Sequence, residues 1–443
     1  VGDYKNMGHP GERGIKPPVE VLPANKQSVF KEVARKVGAP AYVYFQGDLE
    51  SGLQRFLNIP APNGLIVRYA MKANPNSEIL RLFDKMGAHI DASTFNEARR
   101  AIKKGHIKGE KVRLTSQEVQ TPDKLKYLAK NGVKYTACSL RQLDTYGEAL
   151  PGTEVGIRFN IGIGSGWNKQ TSTGGKNSPF GIYEHREEID TLLDKHKLKL
   201  TTVHVHIGSG SDPAKQKEAI KEALNIVKDY ESVTTLNMGG GFKVGRMSGE
   251  QDTDIEEMGQ AMGAALADFE QETGRKIRLE VEPGTALVAN AGHIVTEIID
   301  IKDTGPDGRK FLIVNGGMNM NARPVFYGAQ HPLVVVAQDG IERDVSEYAV
   351  FGINCESGDL LTPEPGKPET IAPRRLLEAK IGDLLVIGGA GAYCSSMAPG
   401  NYNSQPLQPE VMIEKDGNIR SIRKRQPLRD LWRRERPRFS LVA

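Results

Sequence analysis

The 443-residue sequence predicts a (β/α)8 barrel of the TIM type joined to a second, β-rich domain. Three observations predict it. Between residues 65 and 283, eight short apolar runs alternate with amphipathic stretches of helical period, which is how buried parallel strands and their crossover helices read. After about residue 290 the helical stretches give way to Val, Ile, Tyr and Thr runs broken by Gly, Pro and Asp. Hydrophobic residues make up 38% and charged residues 26%, enough apolar material to bury cores of this size, which excludes disorder over most of the chain.

In chain order, residues 1–45, ending in APAYVYF, stand outside the eightfold rhythm and are expected to pack with the later β domain. The barrel is expected over 46–290. Its strands are read as LIVRYAMK (65–72), AHIDA (88–92), VRLTS (112–116), VKYTACS (133–139), EVGIRFN (154–160), TVHVHIG (202–208), TTLNMGG (234–240) and IRLEVEP (277–283). Stretches such as SEILRLFDKMG, TFNEARRAIKKG and PAKQKEAIKEALNIVKDY supply the helices between them. Residues 291–443 are read as an antiparallel β domain, from HIVTEIIDIKD through GDLLVIGGAGAY to PEVMIEKDGNIRSI, ending in a basic tail.

The formal charge of +4 could suggest a nucleic-acid partner, but Arg420 to Arg438 alone carries net +7, which leaves the rest at −3. The tail is read as a solvated terminal element, with no nucleic-acid partner. No run of about 18 apolar residues predicts a membrane span. Cys138, Cys355 and Cys394 lack the spacing of a disulfide framework or a zinc site, so a reducing cytoplasm is expected.

Barrel enzymes work at the C-terminal ends of their strands. Reading the exits gives Lys72, Asp91, His206, a triple glycine (Gly239, Gly240, Gly241) and Glu282 on one rim, with Arg158 near it as a structural ion-pair partner. Each has an ordinary reading: a snorkelling lysine, a packed histidine, a flexible turn. His204 and His206 share a strand face, yet no nearby Cys or carboxylate supports a metal pair. Glycines 208, 210, 239–241 and 284 with Ser209 converge on one edge, where exposed N–H groups cradle a phosphate. An imine-forming lysine, a carboxylate to keep a ring nitrogen protonated and a phosphate cup together describe pyridoxal 5'-phosphate.

From about residue 40 to 430 the sequence resembles the fold-type III pyridoxal-phosphate decarboxylases. The motifs YAMKAN, IDASTFNEAR, HVHIGSG, GGGF, EPG, ARPVFYGA, CESGDLL and GAYCSSM occur in family order, and TSTGGKNSPFGIY and NYNSQPLQPEV resemble the bacterial diaminopimelate branch. The resemblance implies Lys72 as the lysine that binds the cofactor, Glu282 as partner of its ring nitrogen, His206 stacked on the ring and Asp91 close to the imine. It implies Ser209, Gly239, Gly240, Gly241 and Gly284 at the phosphate, with Tyr393 donating its phenol. Cys355 matches the acid that reprotonates the α-carbon from a second subunit, implying a homodimer with shared sites. Arg323 and Tyr327 match a clamp on the substrate's distal carboxylate, and Glu356 a contact to its distal amine.

One departure bears on substrate. The family usually reads EPGR where this chain reads EPGT, so Thr285 stands in place of a clamp arginine. An arginine–carboxylate contact contributes about 1.5–3 kcal/mol, so its loss would weaken selection for a dicarboxylate roughly tenfold or more. Two diamino acid substrates follow. Family resemblance implies meso-diaminopimelate, giving L-lysine for lysine biosynthesis; Thr285 favours D-lysine or D-ornithine, giving the polyamines cadaverine or putrescine. A more distant reading is an amino-acid racemase, which would place an arginine where Glu282 stands. A non-catalytic relative would be expected to lack Lys72 or Cys355.

Overall fold

The computed structural model describes residues 5–7, 19–165, 173–209 and 212–435. Gly210, the start of TSTGGKNSPFGIY and Arg436 to Arg438 of the basic tail lie outside them. The chain forms two compact units: a β unit of 1–49, 245–250 and 288–443, and a barrel unit of 50–244 and 251–287.

Eight parallel strands close the barrel: β1 Leu65–Ala70, β2 His89–Ala92, β3 Val112–Thr115, β4 Lys134–Ala137, β5 Glu154–Arg158, β6 Lys199–His204, β7 Thr235–Asn237 and β8 Arg278–Val281. Seven of the eight runs read from the sequence contain one of these strands; the sixth, 202–208, overlaps only the end of β6, which starts at Lys199 and stops at His204, so His206 lies just beyond the strand. Closure is the β8–β1 pairing, Leu279 to Leu65 through Val281 to Val67. The helices begin where short polar side chains can satisfy the open N–H groups of a first turn. Asn76, Thr94, Thr121, Ser139, Asp212 and Asp254 each accept a backbone N–H there. Helices Ser77–Lys85 and Phe95–Lys103 turn Ile79, Leu80, Phe83, Ala98 and Ala101 inward, the positions their apolar period selects.

Strand alternation also sends charge into the barrel. Arg68 of β1 donates to Glu280 of β8 at 2.8 and 3.0 Å, and Arg113 of β3 reaches the same carboxylate at 3.3 Å. All three side chains are at most 6% exposed. Burial alone would raise Glu280, but the two guanidinium groups bring it down to about 2.

The β unit is built on the long strand Gly292–Asp303. It pairs with Lys310–Val314 and with Leu384–Ile387, and on another edge with Ala41–Phe45 from the N-terminal segment. Ala41–Phe45 then pairs with Glu410–Ile413, and that with Ile419–Arg423. Helix Ala24–Val37 buries Phe30 and Val33 against Val43, Val295, Val386 and Val411. Two pairings differ from the antiparallel expectation: Lys310–Val314 with Val345–Phe351, and Glu410–Ile413 with Ala41–Phe45, are parallel. Both join segments separated by long connections, which permit parallel pairing where a tight hairpin would forbid it.

The solvated-tail reading holds for Lys424, Arg429, Arg433 and Arg434, which are exposed, and is corrected for Arg423 and Arg425. Arg423 lies in a strand, pairs with the buried Glu410 at 3.0 Å and covers the Tyr42 ring at 5.5 Å; Arg425 donates to Pro40 O at 3.0 Å. Charge run and strand coincide because alternate arginines can lay their stems on the sheet while their heads find carbonyls and a carboxylate. Among the described residues no helix is long and apolar enough to cross a membrane.

Candidate active site

The barrel rim is assembled by strand exits. β1 runs into a 3-10 turn, Met71–Ala73, that carries Lys72 out of the wall with an exposed side chain while Met71 and Ala73 are buried. Gly284 makes that turn's position possible: a Cβ there would stand 3.2 Å from Ala70 Cβ and 3.3 Å from Ala73 Cβ. Thr285, half-buried, opens the short helix Thr285–Val288 that follows.

Glu282 follows Glu280 by two residues, so both face inward, and Glu282 is 7% exposed. Asn237 Nδ2 donates to one of its oxygens at 2.6 Å, and His204 Nε2 stands 3.3 Å from the other. Burial works to raise this carboxyl, but the His204 ring and the Asn237 amide outweigh it and hold Glu282 well below the usual carboxylate range. Asp91, at the end of β2, goes the other way. Burial and the Glu282 charge push it well above its ordinary value, against the pull of the Lys72 ammonium, and its Oδ1 has no hydrogen-bond partner among the described residues. Two carboxyl groups on one rim thus differ in charge because one has donors and the other has a like-charged neighbour.

His206 accepts from Gly240 N–H through Nδ1 at 3.2 Å, leaving the proton on Nε2. Burial, Arg158 and Lys72 push it well below its ordinary value, so the ring is neutral. The glycines that follow β7 permit this approach: a Cβ on Gly239 would stand 2.8 Å from His206 Cβ, and one on Gly240 2.5 Å from Glu282 O. Gly239 N–H donates to Asn237 Oδ1 at 2.8 Å. The first two N–H groups of the triple glycine therefore serve the barrel's own side chains, and the glycines' contribution is close backbone approach. Ser209 is exposed beside Gly208, whose φ of +146° suits a residue without a side chain. Arg158, read from sequence as an ion-pair partner, instead donates to His206 O at 3.4 Å and lies 5.2 Å over the Phe180 ring.

The remaining expected residues lie on the β unit. Arg323 opens helix Arg323–Tyr327, with Nε 3.3 Å from His331 Nε2; Tyr327 OH lies 3.9 Å from Met397 Sδ. Tyr393 is held at φ +56°, a left-handed conformation uncommon for a side-chain-bearing residue. Cys355 is exposed, its N–H donating to Asn403 Oδ1 at 2.8 Å. Glu356 accepts from Gly358 N–H at 3.1 Å, Ser357 Oγ at 3.2 Å and Tyr402 OH at 3.5 Å, and the first two of these help keep it below its ordinary value. Among the described residues no hydrogen bond joins Cys355 or Glu356 to Arg323, Tyr327 or Tyr393. Sequence reasoning missed Arg246, which the fold brings near Arg323 across a long stretch of chain and which sits in no recognisable motif, and Asn321, which lies two residues before Arg323 beside the ARPVFYGA motif.

Residues 48–289 match the family model described as pyridoxal-dependent decarboxylase, pyridoxal binding domain. The chain belongs to the pyridoxal-dependent decarboxylases. This decarboxylase is 34% identical over 405 residues to the diaminopimelate decarboxylase of Streptomyces coelicolor, covering 90% of this chain and 89% of that one. It is 34% identical over 374 residues to that of Escherichia coli, covering 83% and 87%. A crystal structure of a diaminopimelate decarboxylase matches with a TM-score of 0.83 at 31% identity, covering 91% of this chain and 94% of that one. The Helicobacter pylori enzyme complexed with L-lysine matches at 0.81 and 28%, covering 91% and 98%. The cofactor is pyridoxal phosphate, and the rim fits it: an ionised buried carboxylate, a buried Asp91 oxygen without a partner and glycines whose Cβ atoms would fill the space around the His206 ring.

Proposed function

We propose that this decarboxylase removes CO2 from the D-configured α-carbon of meso-diaminopimelate and releases L-lysine. The reaction type rests on one observation, the Glu282 carboxyl buried at the exit of β8 with Asn237 and His204 at its two oxygens. When bound, pyridoxal phosphate supplies an aldehyde for an amine and a protonated ring that withdraws electrons from the substrate's α-carbon. Glu282 holds the ring-nitrogen proton in place, since an anion beside it raises the cost of losing it. Lys72 provides the attaching amine, and its exposed head leaves room for exchange with the substrate amine. His206, neutral, offers an uncharged face to the ring, and Asp91 with Lys72 forms an opposite-charge pair once its proton leaves. Ser209 and the Tyr393 phenol are the proposed donors to the phosphate, while the Gly239–Gly241 turn, whose first two N–H groups are taken by Asn237 and His206, and Gly284 leave room for it by close backbone approach.

The bond from the α-carbon to its carboxylate breaks, CO2 leaves and one proton returns to that carbon. We assign its return to Cys355, exposed on a single protomer and so open to the site of a second copy. The protein is thus proposed to act as a homodimer with shared sites, and its free thiols suit a cytoplasmic setting. Arg323 and Tyr327 take the substrate's distal carboxylate and Glu356 its distal amine. Four diaminopimelate decarboxylases of similar sequence or structure support this substrate. Thr285 favours D-lysine or D-ornithine as the second reading. Measuring CO2 release from the three amino acids decides between them, with turnover of meso-diaminopimelate at the highest kcat/KM expected. No turnover of any of the three would remove the proposal, as would a Lys72→Ala variant that keeps the yellow colour of lysine-bound cofactor.

A further inference from the structure

Arg246 lies on the segment Gly245–Glu250, which belongs to the β unit although the chain around it forms the barrel. Its Nε donates to Gly389 O at 2.9 Å, while its Nη2 is buried and has no hydrogen-bond partner among the described residues. Gly389 has φ +62°, and a Cβ there would stand 2.9 Å from Arg246 Cγ, so this turn accommodates the arginine stem only as glycine. The preceding carbonyl, Gly388 O, accepts from His331 Nδ1 at 2.8 Å; His331 Nε2 in turn accepts from Arg323 Nε at 3.3 Å. Two consecutive carbonyls thus tether two guanidinium groups to one stretch of backbone.

Asn321, 1% exposed, adds a third donor. Its Oδ1 accepts from Arg323 N–H and from Cys394 Sγ, each at 3.3 Å, and its Nδ2 has no partner among the described residues. Among those residues no carboxylate forms a salt bridge with either guanidinium. Burial and the Arg323 charge push Arg246 down to about 9, against the smaller upward pull of Glu250, whose Oε2 takes the Arg246 backbone N–H at 2.8 Å and not its guanidinium. Buried donors in native proteins have partners, so two open ones beside paired arginines mark the place of an absent anion.

We infer that Arg246 and Asn321, together with Arg323, form a seat for the carboxylate that the substrate keeps, making Arg246 a residue that selects dicarboxylic over monocarboxylic diamino acids. The inference rests on the decarboxylase reading for the identity of the anion. A carboxylate about to leave as CO2 gains nothing from a tight hold on its charge, because that hold is lost in the transition state and raises the barrier. The distal carboxylate keeps its charge throughout, so binding it there leaves the barrier unchanged and supplies specificity.

The test uses the full-length holoenzyme and the variants Arg246→Met and Arg246→Lys, with kcat and KM for meso-diaminopimelate and D-lysine. Calorimetry with pimelate, a dicarboxylate without amines, reads the seat without turnover. In Arg246→Met, KM for meso-diaminopimelate should rise at least about tenfold and pimelate affinity fall to match, with D-lysine kcat/KM within about twofold of wild type. Arg246→Lys should fall between, having charge without the fork. Equal losses on both substrates, or an unchanged KM for meso-diaminopimelate in both variants, would overturn the inference. A wild-type enzyme inactive on meso-diaminopimelate defeats the substrate reading instead. Pimelate then decides the seat: binding that depends on Arg246 supports it, and equal binding to wild type and variants overturns it.

Discussion

Glu282 and Asp91 show how neighbouring donors decide the charge of a carboxyl group at a strand end. Asn237 and His204 stand at the two oxygens of Glu282 and keep it ionised, while Asp91 has an open oxygen and a negative neighbour. Glu282→Gln keeps the shape and removes the charge. It should leave the cofactor attached to Lys72 yet lower kcat for CO2 release by roughly a hundredfold or more, and an unchanged kcat would show that Glu282 does not hold the ring proton. Tyr393 is the other residue with a conformational signature, its φ of +56° directing a phenol from a turn next to the buried Cys394.

At the scale of elements, the exits of β6, β7 and β8 are fixed to one another by backbone contacts that only glycine allows. Gly240 is the tightest of those at the rim, with Glu282 O 2.5 Å from where a Cβ would stand. Gly240→Ala must therefore push β8 and its carboxylate away from the His206 ring. We expect weaker retention of pyridoxal phosphate, read by dialysis and absorbance, with a thermal midpoint lowered by only about 1 °C for each kcal/mol lost, because the unfolding entropy of a chain this large is high. Retention equal to wild type would mean that the turn relaxes without moving the rim. The segment Gly245–Glu250 has the opposite character: it leaves the barrel's chain to serve the β unit, and Arg246 is the side chain it delivers.

For the whole molecule, the buried Arg68–Glu280–Arg113 group ties β1, β3 and β8 together inside the barrel. The Glu280 pKa is depressed from its ordinary 4.5 to about 2, so its contribution to stability is present above pH 4.5 and lost as pH falls toward 2. Arg68→Met should cost about 3–5 kcal/mol at neutral pH and move the acid-unfolding midpoint upward, as followed by circular dichroism. An unmoved acid midpoint would show that the pair does not govern acid stability. The shared-site dimer has its own test. Mixing inactive Lys72→Ala with inactive Cys355→Ala, after subunit exchange, should restore about a quarter of wild-type activity, because half the dimers are mixed and each of those holds one complete site. No recovery after confirmed exchange would place Cys355 in its own protomer's site. The sequence by itself determined the eight strands, the glycine turns and the rim residues Lys72, Asp91, His206 and Glu282, because strand period, helix caps and the order of strand exits are local properties of a chain. It left Arg246 and the Arg68–Glu280–Arg113 group illegible, and it misassigned the partners of Arg158 and the setting of Arg423. Those depend on which charges meet after folding, between residues as far apart as Arg68 and Glu280 or Arg246 and Gly389, and only the tertiary structure decides the burial and the neighbours that set their charge and their use.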